Sequence, residues 1–285
     1  MNSTRVAIYL KVCGALAACL IGIGWDAARA QSAGGIDLDV VGIRLGMTVK
    51  DAMLALKADN PRMTLTPSTR QYEGFTGQLL LSVVGAEAAT PGGPNSTPLR
   101  AGENVEILFT MPPNQEVVWG VKRVYNFAGA ERPSFQNALE ALHRKYGPET
   151  VPADPDPRSS TKNIVWVYDG QGRPMGPPGQ QIYKTCGTFG NHFGNGDLGA
   201  VNDIETGGQS GPPECKAYIV VDASVQASLD SASSQFVVNN MTVVLADAGR
   251  YRTAIDATRG VILNAAKSRQ KKQTDEVNKR RAPKL

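Results

Sequence analysis

Apolar and polar positions alternate along this chain in two different rhythms. Ile36 to Leu45 is rich in Val, Ile and Leu and predicts a strand. Gly46-Met47 turns the chain, and Thr48 with Asp51 three residues later makes a capping pattern. Val49, Ala52, Met53 and Leu56 then share one helical face, and Asn60-Pro61 closes the helix. Strands are predicted at about 63–67, 78–85, 105–111 and 117–127, with Pro112-Pro113-Asn114-Gln115 as the hairpin loop between the last two. The stretch Thr90 to Asn104 is rich in Pro, Gly and Asn and predicts a long loop.

The helical rhythm returns at Ser134, with Phe135, Ala138, Leu139, Leu142 and Tyr146 on one face and Gly147-Pro148 as the stop. Aligning this helix with the first sets Thr48 on Ser134, Val49 on Phe135, Ala52-Met53 on Ala138-Leu139 and Ala55-Leu56 on Ala141-Leu142. Strands follow each helix, so the pattern predicts a two-fold repeat of helix plus strands. Further strands are predicted at about 162–169, 216–225 and 235–245. Asp247 starts a third helix, with Tyr251, Ile255, Thr258 and Ile262 on one face. Gly260 weakens that helix by about 1 kcal/mol. Helices separated by runs of strands predict an α+β fold: an antiparallel sheet with helices packed on one face, and a helix at the C-terminus.

The N-terminus changes the compartment. Arg5 and Lys11 precede an apolar run from Val12 to Gly24, and Ala28-Arg29-Ala30 fits a signal-peptidase site with Gln31 next. The chain is therefore expected to be exported, to the periplasm in a bacterial cell. An alternative makes Cys19 a lipid-anchored first residue after Leu16-Ala17-Ala18, although the residues beyond it stay apolar where a lipoprotein turns polar. The organisation expected is a signal peptide at 1–30, a first unit at 31–128, a second at 129–266 and a basic tail at 267–285. Export leaves Cys186 and Cys215 as an even pair in an oxidising compartment, so they are expected to bond. Closing a loop of that length is worth roughly 3–4 kcal/mol.

A 41% apolar and 20% charged composition is that of an ordinary globular chain, and the net charge is only +4. The cations concentrate at the end, in Lys267, Arg269, Lys271, Lys272, Lys279, Arg280, Arg281 and Lys284, opposed by Asp275 and Glu276 alone. Lys271, Lys272, Arg280 and Arg281 are the candidate partner-binding residues, toward an envelope protein, an anionic envelope polymer or a membrane surface. The tail has no aromatic residue to stack on bases, and export separates it from nucleic acid.

Catalytic and cofactor patterns are thin. Gly194, Gly196 and Gly199 match a dinucleotide fingerprint but lie between the two cysteines, without a strand before and a helix after. His192, Asp197 or Asp203, and Ser210 follow the order of a protease triad within one short loop, where no scaffold separates them. Asp197, Asn202, Asp203 and Glu205 offer oxygens to Ca²⁺ without the spacing of a helix–loop–helix calcium site. His143 is expected at the helix boundary, and no His cluster or Cys-x-x-Cys supports zinc. No cofactor, metal or catalytic residue is therefore assigned.

Val41-Gly42-Ile43-Arg44-Leu45-Gly46-Met47-Thr48 with Lys50-Asp51-Ala52, and the ending Lys145-Tyr146-Gly147-Pro148, resemble two bacterial envelope groups. These are the small outer-membrane assembly lipoproteins and the β-lactamase-inhibitor-protein fold. The resemblance implies short helices on an antiparallel sheet, a unit that the inhibitor fold repeats twice, and a non-catalytic, protein-binding role. Three functions stay open: a binding or assembly module, an inhibitor of a secreted enzyme presenting the 186–215 loop, and a hydrolase built on carboxylates.

Overall fold

A computed structural model describes residues 38–87, 102–152, 160–186, 215, 218–230, 233 and 235–280. The fold is α+β. A short hairpin, β1 (Asp39–Val40) and β2 (Ile43–Arg44), precedes helix α1 (Val49–Asp59). Strands β3 (Thr64–Arg70), β4 (Leu79–Ala86), β5 (Gly102–Phe109) and β6 (Val118–Asn126) follow, then α2 (Phe135–Tyr146) and β7 (Thr161–Asp169). Helix α3 (Pro177–Cys186), β8 (Tyr218–Asp230), β9 (Gln235–Asp247) and α4 (Ala248–Asn278) complete the chain. The seven strands β3 to β9 form one antiparallel sheet in the order β3-β4-β5-β6-β9-β8-β7.

Four expectations need correction. Ile36 to Leu45 is not one strand: Val41 and Gly42 both take positive φ, 50° and 75°, and fold the segment back on itself. The end of the predicted 90–104 loop is strand, because β5 already pairs from Gly102; residues 90–101 lie outside the described residues. Helix α3 was not anticipated. Its Pro177-Pro178-Gly179 opening reads as a loop, yet proline is accepted in a first helical turn, where no donor is lost. Finally, helices cover both faces of the sheet. The two helices of the expected repeat do share one face, where Ala52, Leu56, Ala138, Leu142 and Tyr146 pack on Val83, Val105, Val121, Trp166, Val221 and Leu245. On the other face Tyr251 and Ile255 of α4, with Ile182 and Tyr183 of α3, meet Trp119, Val165, Val220, Val244 and Ala246. The central strands bury both sets of alternating residues, as in the run Ile164 to Tyr168, and so need two covering layers.

The repeat is real at the level of backbone register. The N-cap of α1, Thr48, bridges to Val117 at the start of β6, and the N-cap of α2, Ser134, bridges to Val237 at the start of β9. Val118 N–H donates to the Met47 carbonyl at 2.9 Å, and Val238 N–H to the Pro133 carbonyl at 2.9 Å. Each cap oxygen accepts from the N–H three residues on, at 3.2 Å from Asp51 and 3.1 Å from Asn137. Both last strands carry a bulge at the matching residue, Trp119 in β6 and Asn239 in β9. The junction obeys the same symmetry. Gly120 pairs with Ala246 and Asn126 with Asn240, placing a pseudo-two-fold axis at the Arg123–Val243 pair. The bridge of Val151 to Val165 on the outer edge of β7 is the remnant of what β3 is to β4.

The halves differ where helix meets sheet. Gly85 of β4 lies beneath α1, and a Cβ there would sit 2.7 Å from Leu56 Cδ2 and 3.1 Å from Met63 Sδ. The matching position in the second half is Ile164 of β7, next to Trp166. Helix α1 therefore sits down on its strands, whereas α2 rests on large side chains. Gly85→Ala is expected to cost about 1–3 kcal/mol by overpacking, and Gly85→Ile more. Urea midpoints compared with the unsubstituted chain measure it.

Under α3 and α4, Asp222 of β8 continues the alternation Tyr218, Val220, and burial pushes its carboxyl up to about 6. The charge of Asp222 in turn raises the Tyr183 phenol of α3, after burial. The folded chain therefore holds a proton on Asp222 that the unfolded chain releases near pH 4. Stability falls as pH rises from about 4 to 6 and stays lower above that. Asp222→Asn is expected to flatten this slope and to gain on the order of 2 kcal/mol at pH 7, read from urea unfolding at pH 4.5 and pH 7.

Candidate binding cleft

Helix α2 is held at its C-terminal end, where an α-helix leaves carbonyls without partners. Two aromatic side chains of β7 supply the donors. Trp166 Nε1 donates to the Gly147 carbonyl at 2.8 Å, and the Tyr168 hydroxyl to the Tyr146 carbonyl at 2.6 Å. Gly147 takes φ 79° and ψ −168°, an extended conformation open to glycine, where the helix ends. The Tyr146 hydroxyl in turn donates to the Asp39 carbonyl at 3.0 Å, and Lys145 Nζ reaches Asp39 Oδ1 at 3.0 Å. The β1–β2 hairpin is thereby fastened against α2.

Between that hairpin, α2 and the β6–β9 junction lies an open cleft of about 250 Å³. Its walls are apolar: Val40 and Val41 from the hairpin, Ala138, Ala141 and Leu142 from α2, and Phe127, Pro133, Met241 and Val243 from the sheet side. The polar groups in the lining are Arg123, Asn137 and Lys145, together with Tyr146. Arg123 and Val243 are the residues on the pseudo-two-fold axis, so the cleft opens at the join of the two halves.

Val41 is the strained element of this wall. Its φ of 50° is costly for a β-branched residue, on the order of 1–3 kcal/mol. The two-residue turn is satisfied by Gly42 N–H donating to Asp39 Oδ1 at 2.8 Å, but Asn or Gly would suit position 41 better. Val41 is 8% exposed, and its side chain faces the cleft and the core. Burial of the isopropyl group offsets the strain.

The charges around the cleft are paired. Arg123 binds Glu103 through Nε and lies over the Tyr125 ring, 5.3 Å from its centroid. Glu103 also accepts from Asn60 Nδ2 at 3.4 Å, as does Glu87, which Arg62 pairs at 3.0 Å. These two carboxylates approach one another, but each has its own guanidinium. Burial, with the nearby Asp39 charge, holds the Tyr146 phenol well above its usual range, and burial alone does so for Tyr168. Both hydroxyls stay protonated as donors. The cleft lining contains no serine, cysteine, histidine or carboxylate.

The residues singled out in the sequence are scattered. Cys186 and Cys215 form the expected disulfide, joining the end of α3 to a fully buried position. Lys271, Lys272 and Arg280 are exposed at the far end of α4, remote from the cleft in sequence and in fold, and Arg281 lies outside the described residues. His143 is half-buried, paired with Glu149 and edge-on to Trp166 at 6.3 Å. The glycine fingerprint at 194–199, the His192–Ser210 set and the acidic residues 197–205 lie outside the described residues. Among the described residues no group of three or more His, Cys, Asp and Glu could hold a metal, and no helix is long and apolar enough to cross a membrane. Sequence reasoning missed Val41 and Arg123. The available signal was Lys122-Arg123 inside an otherwise apolar strand; nothing marked Val41. No protein-family model, curated protein or solved structure matches the chain.

Val41→Asn is expected to leave stability within about 1 kcal/mol, because relief of the turn and loss of buried apolar surface oppose each other. The urea midpoint checks this, and the variant then serves as a folded probe of the cleft.

Proposed function

We propose that this chain is an exported, non-catalytic binding or assembly module of the cell envelope. The observation that carries the reading is the cleft. It is apolar, open and stiffly braced, and the two groups in its lining able to move a proton, Lys145 and Tyr146, are both tied to Asp39. The occupant we assign is a segment of an envelope protein that presents an apolar side chain next to a carboxylate. The apolar walls suit the side chain, and Arg123 and Lys145 on the rim suit the acid. Export rests on the N-terminal pattern of Arg5, Lys11, the apolar run and Ala28-Arg29-Ala30, and the Cys186–Cys215 bond is compatible with it.

Panning a random peptide library against the immobilised chain tests the cleft and the stated chemistry together. Enriched peptides are expected to pair an apolar residue with Asp or Glu. They are expected to lose at least tenfold in affinity for Ala141→Trp, which fills the cleft from an exposed position on α2. Enriched peptides that bind Ala141→Trp and Val41→Asn as well as the unsubstituted chain would exclude the cleft as the binding surface.

A further inference from the structure

Helix α4 runs for 31 residues, about 46 Å, and only its first half is packed. Tyr251, Ala254, Ile255 and Thr258 are buried against the sheet, whereas every residue from 267 to 280 is exposed. The last tie to the body is at the β3–β4 connection. There Arg269 pairs with Glu73 at 3.1 Å, and a Cβ on Gly74 would lie 3.0 Å from Ala265. Beyond it the helix stands clear of the sheet for about 14 Å.

The exposed half is not uniformly charged around its axis. At 3.6 residues per turn, Leu263, Ala266, Gln270, Gln273, Thr274 and Val277 fall on one strip about 100° wide. That strip carries no charge, and its two ends are the exposed apolar residues Leu263 and Val277, 46% and 57% exposed. Lys267 borders it on one side, with Lys271 about 40° further round, and Arg280 follows just past the end of the helix. Asp275 lies about 150° and Glu276 about 110° from its midline, and Lys272 and Lys279 lie almost opposite. The buried residues Tyr251, Ala254, Ile255 and Thr258 centre about 100° from the strip's midline, with Ile255 in line with Gln273 at its edge, so the strip is clear of the body where the helix has left the sheet, beyond Arg269.

We infer that this strip is a surface-binding face for an anionic lipid bilayer, on which α4 lies flat with Leu263 and Val277 dipping between head groups. A second copy of the chain is a poorer occupant. Burying Gln270 and Gln273 without partners is costly, and like-charged lysines would face each other across the seam. At head-group depth the same glutamines remain hydrated, the lysine stems reach along the apolar boundary, and the phosphates meet the ammonium groups. Lys267 and Lys271 also stand four residues apart on the helix, a like-charge spacing that destabilises it in water and that an anionic surface would relieve. This inference is independent of the cleft.

The test uses the chain from Gln31 onward, which contains the whole compact unit 34–285 and omits the apolar leader. Its co-sedimentation is measured with phosphatidylcholine vesicles and with phosphatidylcholine–phosphatidylglycerol vesicles. Binding is expected to the anionic vesicles only. It is expected to fall on the order of 20-fold for Lys267→Glu with Lys271→Glu, and clearly for Leu263→Ser with Val277→Ser. The opposite-side pair Lys272→Glu with Lys279→Glu is expected to change it several-fold less. Equal loss for both lysine pairs, or no loss for the serine pair, would overturn the oriented face. So would the absence of binding, equal binding to neutral vesicles, or dimerisation through α4 in sedimentation velocity.

Discussion

Everything else in this fold hangs on the antiparallel pairing of β6 with β9. Each half of the chain ends in a strand whose outer edge would be open, and the two edges satisfy each other along the register Gly120–Ala246 to Asn126–Asn240. An isolated half would expose that edge, a template for pairing with other chains. The outer edges left over are blunted by other means. Strand β3 carries Pro67 and faces a bulge at Leu81 of β4, and β7 is capped by the bridges of Val151 and Pro174. The same pairing fixes the two helices, because each N-cap is bridged to the start of a central strand. Cap, strand and helix are thus one mechanical unit, used twice.

The two halves are not identical beneath their helices. Two identical halves would pack their helices at equal height, with both undersides filled. Here the volume beneath the helices has been redistributed. In the first half β4 has Gly85 beside Val105 of β5; at the matching pair, β7 has Ile164 beside Ala223 of β8. Bulk moved one strand outward, toward the edge, where Trp166 and Tyr168 also stand and grip the end of α2. Cores are close-packed, so an unfilled volume at the centre loses contact energy unless something occupies it. That the chain keeps a costly φ at Val41 to line this volume is consistent with a site held ready for an occupant.

Much of this was legible in the residues. Helices α1 and α2 announced themselves through caps and apolar stripes, and even their alignment, Thr48 on Ser134, is the one the backbone obeys. The strands were visible as runs of Val and Ile. What escaped was information that no local pattern carries. The apolar run Ile164 to Tyr168 implies a strand covered on both faces, but it does not say that α3 and α4 supply the second layer. Val41 resembles any strand residue: its positive φ belongs to the two-residue turn between β1 and β2, and valine is not a residue that marks such a turn. The cleft is assembled where the β1–β2 hairpin, α2 and the β6–β9 junction meet, and no local run of residues marks such a meeting point.

The C-terminal half of α4 poses the opposite problem, a helix with no core to hold it. Helices in water without packing depend on propensity and on side-chain pairs four residues apart. The segment is built from Lys, Arg, Gln, Glu and Ala, and its spacing sets Lys271 against Asp275, Lys272 against Glu276, Asp275 against Lys279 and Glu276 against Arg280. The two acids therefore serve four cations, and their position follows from helix stability. That placement leaves Lys267 with only Lys271 at the favourable spacing beyond it, at the point where the helix leaves the sheet. The net positive charge of the arm is thus concentrated beside Leu263, next to the fixed end of the helix, where a bound surface would be held closest to the folded body.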